Sequence, residues 1–445
     1  MMARKKILRS VIIAVAVVVL LAACIFFLWE KQFNPYRGTV SGFDNSLPLE
    51  ADMTVEQAQR DIAFVYAKLA ERHPMWLEDD APRVEVVKDL YVDALAELSL
   101  DDDGIVSAMD VWRAVSKMTA VLGDGHTSVW WQNPNQLFID NIIVYEAGGK
   151  PVAINGVPIE DVIERFRPLS SFETEATFLS GIFNTKVIRK HYLDLIDIDT
   201  STGARFTCVG KNGTLYDSWY TFVPADKVLM SSDSPEENDA GWVYYTVDRD
   251  ADLAVFTLRE CNYNDEYRQT LKSFFNDVAS SCISHIAVDL RDNGGGNSKV
   301  ADEFIRYLPA DGYESFWCDI RYGPFLAKFH NSHHKNRKAS PVFTGDVYVL
   351  TDTDTFSSAM DFAMLMKDNG LGYIVGEASG NQPESYGDCL YFQLPESKLA
   401  LSVSFKKWYR IDRTKAGELI EPDYPCNPDE AVEEVKRIIA ERSMP

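Results

Sequence analysis

The chain has 445 residues, 46% hydrophobic and 12% aromatic, with a formal net charge of −23 at pH 7. That length and apolar content allow more than one buried core and argue against wholesale disorder. The carboxylate excess excludes a nucleic-acid partner, because no basic stripe interleaved with aromatics survives such a balance.

The opening MMARKKILRS carries Arg4, Lys5, Lys6 and Arg9 ahead of an uncharged run from Val11 to Trp29. As a helix rising about 1.5 Å per residue, that run spans about 29 Å, the thickness of a bilayer core. The basic flank is expected to stay inside, so residues 1–32 read as a membrane anchor with the rest of the chain outside the cytoplasm. LAAC at 21–24 also resembles a lipobox with Cys24 as the lipidated residue, yet IFFLW continues the apolar run and favours an uncleaved anchor. The remaining cysteines, Cys208, Cys261, Cys282, Cys318, Cys389 and Cys426, are too sparse for a disulfide scaffold. They also lack the CxxC spacing of a structural zinc site.

Residues 33–53, rich in Gly, Asn and Pro, read as a linker. A helical segment follows over 54–130, built from TVEQAQRDIAFVYAKLAERH, RVEVVKDLYVDALAEL and AMDVWRAVSKMTAVL and ending in a DGHT turn. Thr54 is placed as an N-cap and Pro74 as a stop. Residues 131–240 read as a mixed β region that includes the Asn-Gly turn of KPVAINGVPIEDVIERF. From 241 to 440, helices LKSFFNDVASS, KVADEFIRYL and SSAMDFAMLMKD alternate with apolar strands HIAVDL, DVYVLT and GYIVG. Strands of that kind imply a largely parallel sheet buried on both faces, hence an α/β core within an α+β chain. Chemistry is then expected in the loops at the strands' carboxyl ends, RDNGGGNS, TDTDTFSS and GEASGNQP.

RDNGGGNSKV lacks the GxxxxGK[ST] of a P-loop, and Lys299 stands where a dinucleotide fingerprint needs glycine. Ser298 in GNSKV misses the nucleophile elbow because Val300 replaces its last glycine. An oxyanion loop or a plain turn remains. Ser357 sits where a strand gives way to a helix, a position that suits a helix cap and a nucleophile alike. His126, in a Gly-flanked turn, is the candidate base. The HNSHH cluster (His330, His333, His334) has no carboxylate at ligand spacing, and HHKNRK reads as a solvated loop. Trp130 and Trp131 suit a peptide cleft or a buried core equally.

Taken in order, DGHTSV, VAINGVPIEDV, IAVDLRDNGGGN, VYVLTDTDTFSSA, IVGEASGNQPESYGD, LPESKLALSVS and IEPDYP resemble the S41 family of serine peptidases, the C-terminal processing and tricorn-core group, over roughly residues 54–437. The resemblance implies a PDZ-like remnant before a ClpP/crotonase-like catalytic core. It implies Ser357 as nucleophile, His126 as base, and an oxyanion hole from the N–H groups of Ser358 and Gly295, with Gly296 the alternative. Gln382 stands where the processing branch carries a lysine base, which points to the Ser–His branch. There a serine and a glutamate support the histidine; Gly125 replaces the serine, and Asp124, Glu377, Glu418 and Glu421 compete for the carboxylate role. The PDZ-like part is too short for a full peptide-binding module.

The expected function is a membrane-tethered extracytoplasmic serine endopeptidase acting on peptides or proteins, with no metal or organic cofactor. The alternative is a non-catalytic S41-like protein that binds peptide or an envelope ligand. An α/β-hydrolase esterase is disfavoured by the missing GxSxG elbow.

Overall fold

The computed structural model describes residues 2–79, 81–98, 104–141, 150–210, 212–229 and 241–442. One N-terminal helix, with a span at Ile12–Phe33 of mean hydropathy 3.1, is long and apolar enough to cross a membrane. Thr54 caps the next helix, Val55–Arg72, through a capping box with Gln57. With Pro82–Leu98 and Ala108–Ala120 it encloses an apolar cluster around Trp112, Val65 and Leu69.

The segment read as a linker lies on the body instead. Leu49 and Met53 enter that cluster, and Val40 and Leu47 donate backbone hydrogen bonds to Tyr391 and Ser397. A few apolar residues at correct spacing suffice to dock a polar segment. Trp131 is likewise core, its indole N–H donating to Leu47 O at 2.8 Å, while Trp130 packs edge-on against Phe43.

Residues 150–220 form a four-stranded antiparallel sheet, Val157–Pro158, Lys150–Ile154, Ala204–Val209 and Leu215–Tyr220. Helices Ile159–Phe166 and Glu175–Gly181 cover a separate cluster centred on Phe166, Phe178 and Phe206.

The C-terminal part is built on a six-stranded sheet in the order Val243–Asp248, Leu253–Leu258, His285–Asp289, Asp346–Thr351, Tyr373–Gly376, Tyr424–Pro425. The first pair is antiparallel and every later pair parallel. Asp265–Ser280, Lys299–Ile305 and Ser358–Asp368 cover one face; Ala431–Arg442 covers the other. Because His285–Asp289, Asp346–Thr351 and Tyr373–Gly376 are neighbours running the same way, their three following loops emerge side by side.

A second, antiparallel sheet was not legible beforehand. Ala400–Tyr409 pairs along one edge with Ser385–Gln393; its other edge is shared by Ser128–Trp130 and the hairpin Trp317–Tyr322, Phe325–Phe329. The HHK of the expected solvated loop forms a short strand, His333–Lys335, on Gly312–Glu314, and His330 and His333 contact Asp319 and Glu314.

Arg410 and Asp368 tie the two sheets together. Their side chains are 1% and 0% exposed and bonded at 2.9 and 3.1 Å, and Arg410 also reaches the carbonyls of Glu418 and Leu419. Asp368→Ala strands a buried guanidinium and is expected to cost about 3–5 kcal/mol in urea unfolding.

Candidate active site

Ser357 does not cap the helix Ser358–Asp368. Its side chain makes no capping bond, and its backbone lies at φ 55°, ψ −124°, a region that costs a non-glycine residue about 1–3 kcal/mol. Neighbours hold it there. Ser357 N–H donates to Asn381 Oδ1 at 2.8 Å, and Phe356 N–H donates to Asn293 O at 2.9 Å. Upstream, Thr355 folds back on Asp352 and bonds Leu290 O at 2.9 Å.

Asn293 also organises the glycine loop. It is fully buried, donates to Leu258 O at 2.7 Å, and accepts the Gly295 N–H at 2.9 Å. That last bond consumes the donor expected of Gly295 in an oxyanion hole. Among the described residues Gly296 N–H has no acceptor, and Gly296 lines the cavity with Ser357 and Ser358. Ser358 opens its helix, so its N–H has no intrahelical partner either. The free amides are therefore those of Ser358 and Gly296. Gly295 acts as a spacer: at φ +99°, a Cβ there would lie 2.7 Å from Ser357 Cβ and 2.9 Å from Ser358 N.

His126 comes from the second sheet. Its carbonyl accepts the Ser402 hydroxyl at 2.7 Å, and Ser404 N–H donates to Thr127 Oγ1 at 3.0 Å. Its ring packs 4.8 Å from that of Phe356 and lines the cavity of about 320 Å³ that holds Ser357. Neither ring nitrogen is hydrogen-bonded, so imidazole and hydroxyl share the cavity without a hydrogen bond between them. Such contacts commonly tighten only with substrate. Burial pushes the imidazole below the ordinary histidine value, against the pull of the Asp124 and Asp388 charges. Gly125, where the resemblance expects serine, lets the Phe356 ring approach closely, since a Cβ there would meet Phe356 Cζ at 2.9 Å unless the ring shifted.

Two carboxylates face His126 Nδ1, Asp124 Oδ1 and Glu173 Oε1, each at 3.9 Å. Asp124 is fully buried and accepts from His126 N–H at 2.9 Å, from the Thr127 hydroxyl and from His73 Nε2 at 3.1 Å. Met75 N–H donates to His73 Nδ1, so the His73 ring proton sits on Nε2 and points at Asp124. Burial opposes ionisation of Asp124, but the His73 bond and the two imidazoles outweigh it and hold the carboxyl well below its usual range. Glu173 differs. Burial, then the Asp124 charge, push it up to about 8, although the Gln382 and Gly125 amides donate to it at 2.8 and 3.2 Å.

Asp124, His126 and Glu173 place ligand atoms within 4.8 Å of one another. All four carboxylate oxygens already accept N–H or O–H groups, a donor set turned toward protons rather than a cation.

The other expected carboxylates lie elsewhere. Glu377 O accepts the Thr351 hydroxyl at 2.6 Å; burial and the charges of Asp352 and Asp429 raise its carboxyl, and it does not line the cavity. Glu418 and Glu421 bond through their carbonyls to Arg410 and Lys367, at the far end of the helix Ser358–Asp368. Lys406, in the cavity, pairs with Asp388. Glu173 and His73 were missed, since each lies in sequence without a motif; Asn381 lies within the GEASGNQP loop but was not singled out there, and Asp124 beside His126 gave a local signal.

Residues 252–426 match the family model for Peptidase family S41. That segment belongs to the S41 family. The S41 segment contains Ser357, the glycine loop and Asn381, while His126, Asp124 and Glu173 precede it. No curated protein sequence matches the chain. Among solved structures, mature CPAF complexed with lactacystin is similar at TM-score 0.64 and 13% identity, over 87% of this chain and 98% of that one. Mature CPAF gives TM-score 0.60 at 13% identity, over 88% and 99%. The photosystem II D1 C-terminal processing protease gives 0.45 at 13% identity, over 86% and 97%. At this identity the CPAF likeness establishes the fold; the S41 assignment supports a peptidase.

Two outcomes check the geometry. Gly295→Ala displaces the serine turn and is expected to lower peptidase turnover about 100-fold or more. Glu173 binds its proton more tightly folded than unfolded, so it destabilises the fold increasingly as pH rises from about 4.5 through about 8. Thermal melts across that range should fall with pH in the wild type and flatten in Glu173→Gln.

Proposed function

We propose that the chain is a membrane-tethered serine endopeptidase whose catalytic part lies outside the cytoplasm. The observation that carries the reading is the strained Ser357 backbone, set at a helix start with two uncommitted amides and a histidine around one cavity. Strain of that kind needs surrounding structure to sustain it and concentrates at functional sites.

In the mechanism that follows, Ser357 Oγ attacks the scissile carbonyl carbon while His126 accepts the hydroxyl proton. The oxyanion is held by the N–H groups of Ser358 and Gly296, each worth about 3–4 kcal/mol in the transition state. Collapse expels the amine, which takes its proton from His126 and leaves an acyl-enzyme. Water, deprotonated by His126, then releases the acid and restores Ser357. Asp124, ionised and fixed by His73 and Thr127, stabilises the imidazolium from the Nδ1 side. The lowered His126 pKa keeps the free base neutral near pH 7. Extracytoplasmic placement follows from the basic residues ahead of the apolar helix.

Labelling with a fluorophosphonate probe tests the reading. The wild type should react, Ser357→Ala should not, and His126→Ala should react about 100-fold more slowly or worse. A wild type that stays unlabelled and uncleaving, while it and both variants bind unfolded peptide equally, would establish the non-catalytic binding protein instead.

A further inference from the structure

A second cavity, of about 610 Å³, opens where the N-terminal helix meets the body. Its wall carries Lys31, Arg37, Lys68, Arg72 and Arg321 against one carboxylate, Glu71. In a chain of net charge −23, that is a local inversion of sign.

Among the described residues the five cations share one carboxylate, Glu71. Arg321 spends its guanidinium on the carbonyls of His73, Ala70 and Gly323. Arg72, 8% exposed, donates to the carbonyls of Asn34 and Arg37 at 3.4 and 3.2 Å, and its buried Nε has no partner. Glu71 is shared, 3.3 Å from Lys68 and 3.9 Å from Arg72. Burial draws both guanidiniums down, Arg321 to about 10, and the single Glu71 charge offsets that only in part.

The location names the ligand. Trp29 and Phe33, at the end of the apolar helix, pack against Tyr322 and Phe325 of the hairpin at 5.7 and 5.8 Å. Gly323, at the hairpin turn with φ +58°, admits the Gln32 carbonyl so closely that a Cβ would sit 2.0 Å from it. Phe325, although stacked on Phe33, stays 59% exposed at this seam. Lys31 therefore leaves the apolar helix and enters the cavity wall within one turn, under an aromatic rim of the kind found at bilayer interfaces.

We propose that this cavity binds the phosphate headgroup of an anionic phospholipid and so seats the catalytic body on the bilayer. The proposal rests on the membrane-tethered reading above. It holds for an intact helix and for a chain lipidated at Cys24, since both leave Lys31 and Arg37 at the membrane surface. Guanidinium and ammonium groups suit a phosphate oxygen, and proximity to the apolar helix selects the lipid over the free ion.

The test uses the full chain in nanodiscs of equal parts phosphatidylglycerol and phosphatidylcholine, with retained lipids counted by native mass spectrometry. Phosphatidylglycerol should be retained in preference, and the cavity-wall variant Lys31→Gln/Arg37→Gln/Lys68→Gln should lower that preference about ten-fold or more. Glu71→Gln should raise it. Unchanged fluorophosphonate labelling of these variants shows that the fold is intact. Equal retention of both lipids by an inserted wild type, or an unaltered preference in the triple variant, overturns the headgroup site alone. Stabilisation by 

inorganic phosphate without a lipid preference reassigns the cavity to a free anion and overturns it too. Failure of the chain to enter nanodiscs at all overturns the tether and the headgroup site together.

Discussion

The site depends on one backbone conformation, that of Ser357. A residue with a side chain at φ 55°, ψ −124° persists only where its surroundings supply more than the strain removes. Here Asn381 holds the Ser357 amide, Asn293 holds the preceding amide, and Gly295 leaves room for both serines to approach. The same bonds determine which amides stay free. Because Asn293 takes the Gly295 N–H, the neighbouring Gly296 and the helix-opening Ser358 are the donors left facing the cavity. The turn of the proposed nucleophile and the amides proposed to hold the oxyanion are thus consequences of one local arrangement.

The base is supported differently. His126 hangs from a buried chain that runs through Asp124 to His73, with Glu173 alongside. Two carboxylates facing one imidazole would repel if both were ionised, and the environment separates them. Asp124 has an imidazole and a hydroxyl donating to it; Glu173 receives only backbone amides and is drawn toward the neutral form. One charge near Nδ1 is enough to stabilise an imidazolium.

Much of the catalytic core was legible because parallel strands buried on both faces read as apolar runs, and Ser357 and the glycine loop follow directly from such runs. His126 and Thr54 were legible through turn and capping chemistry. The second sheet was not, since Ser128–Trp130 pairs with Ala400–Tyr409 across most of the chain and no local pattern encodes that partnership. Glu173, His73 and Asn381 act through tertiary contacts alone. Glu377 sat near the correct loop in sequence, but strand direction carries its carboxylate toward Asp352 and Asp429. The docking of residues 40–53 escaped notice because their apolar side chains are few.

Ser357 leads a helix packed in the apolar cluster of the parallel sheet, whereas His126 is fastened to strands whose side chains fill the cluster under the N-terminal helices. The proposed nucleophile and base therefore belong to two different apolar clusters. The contact that joins them is the His126 ring against Phe356, the residue just before Ser357, so the register of the two sheets sets how the imidazole faces the hydroxyl.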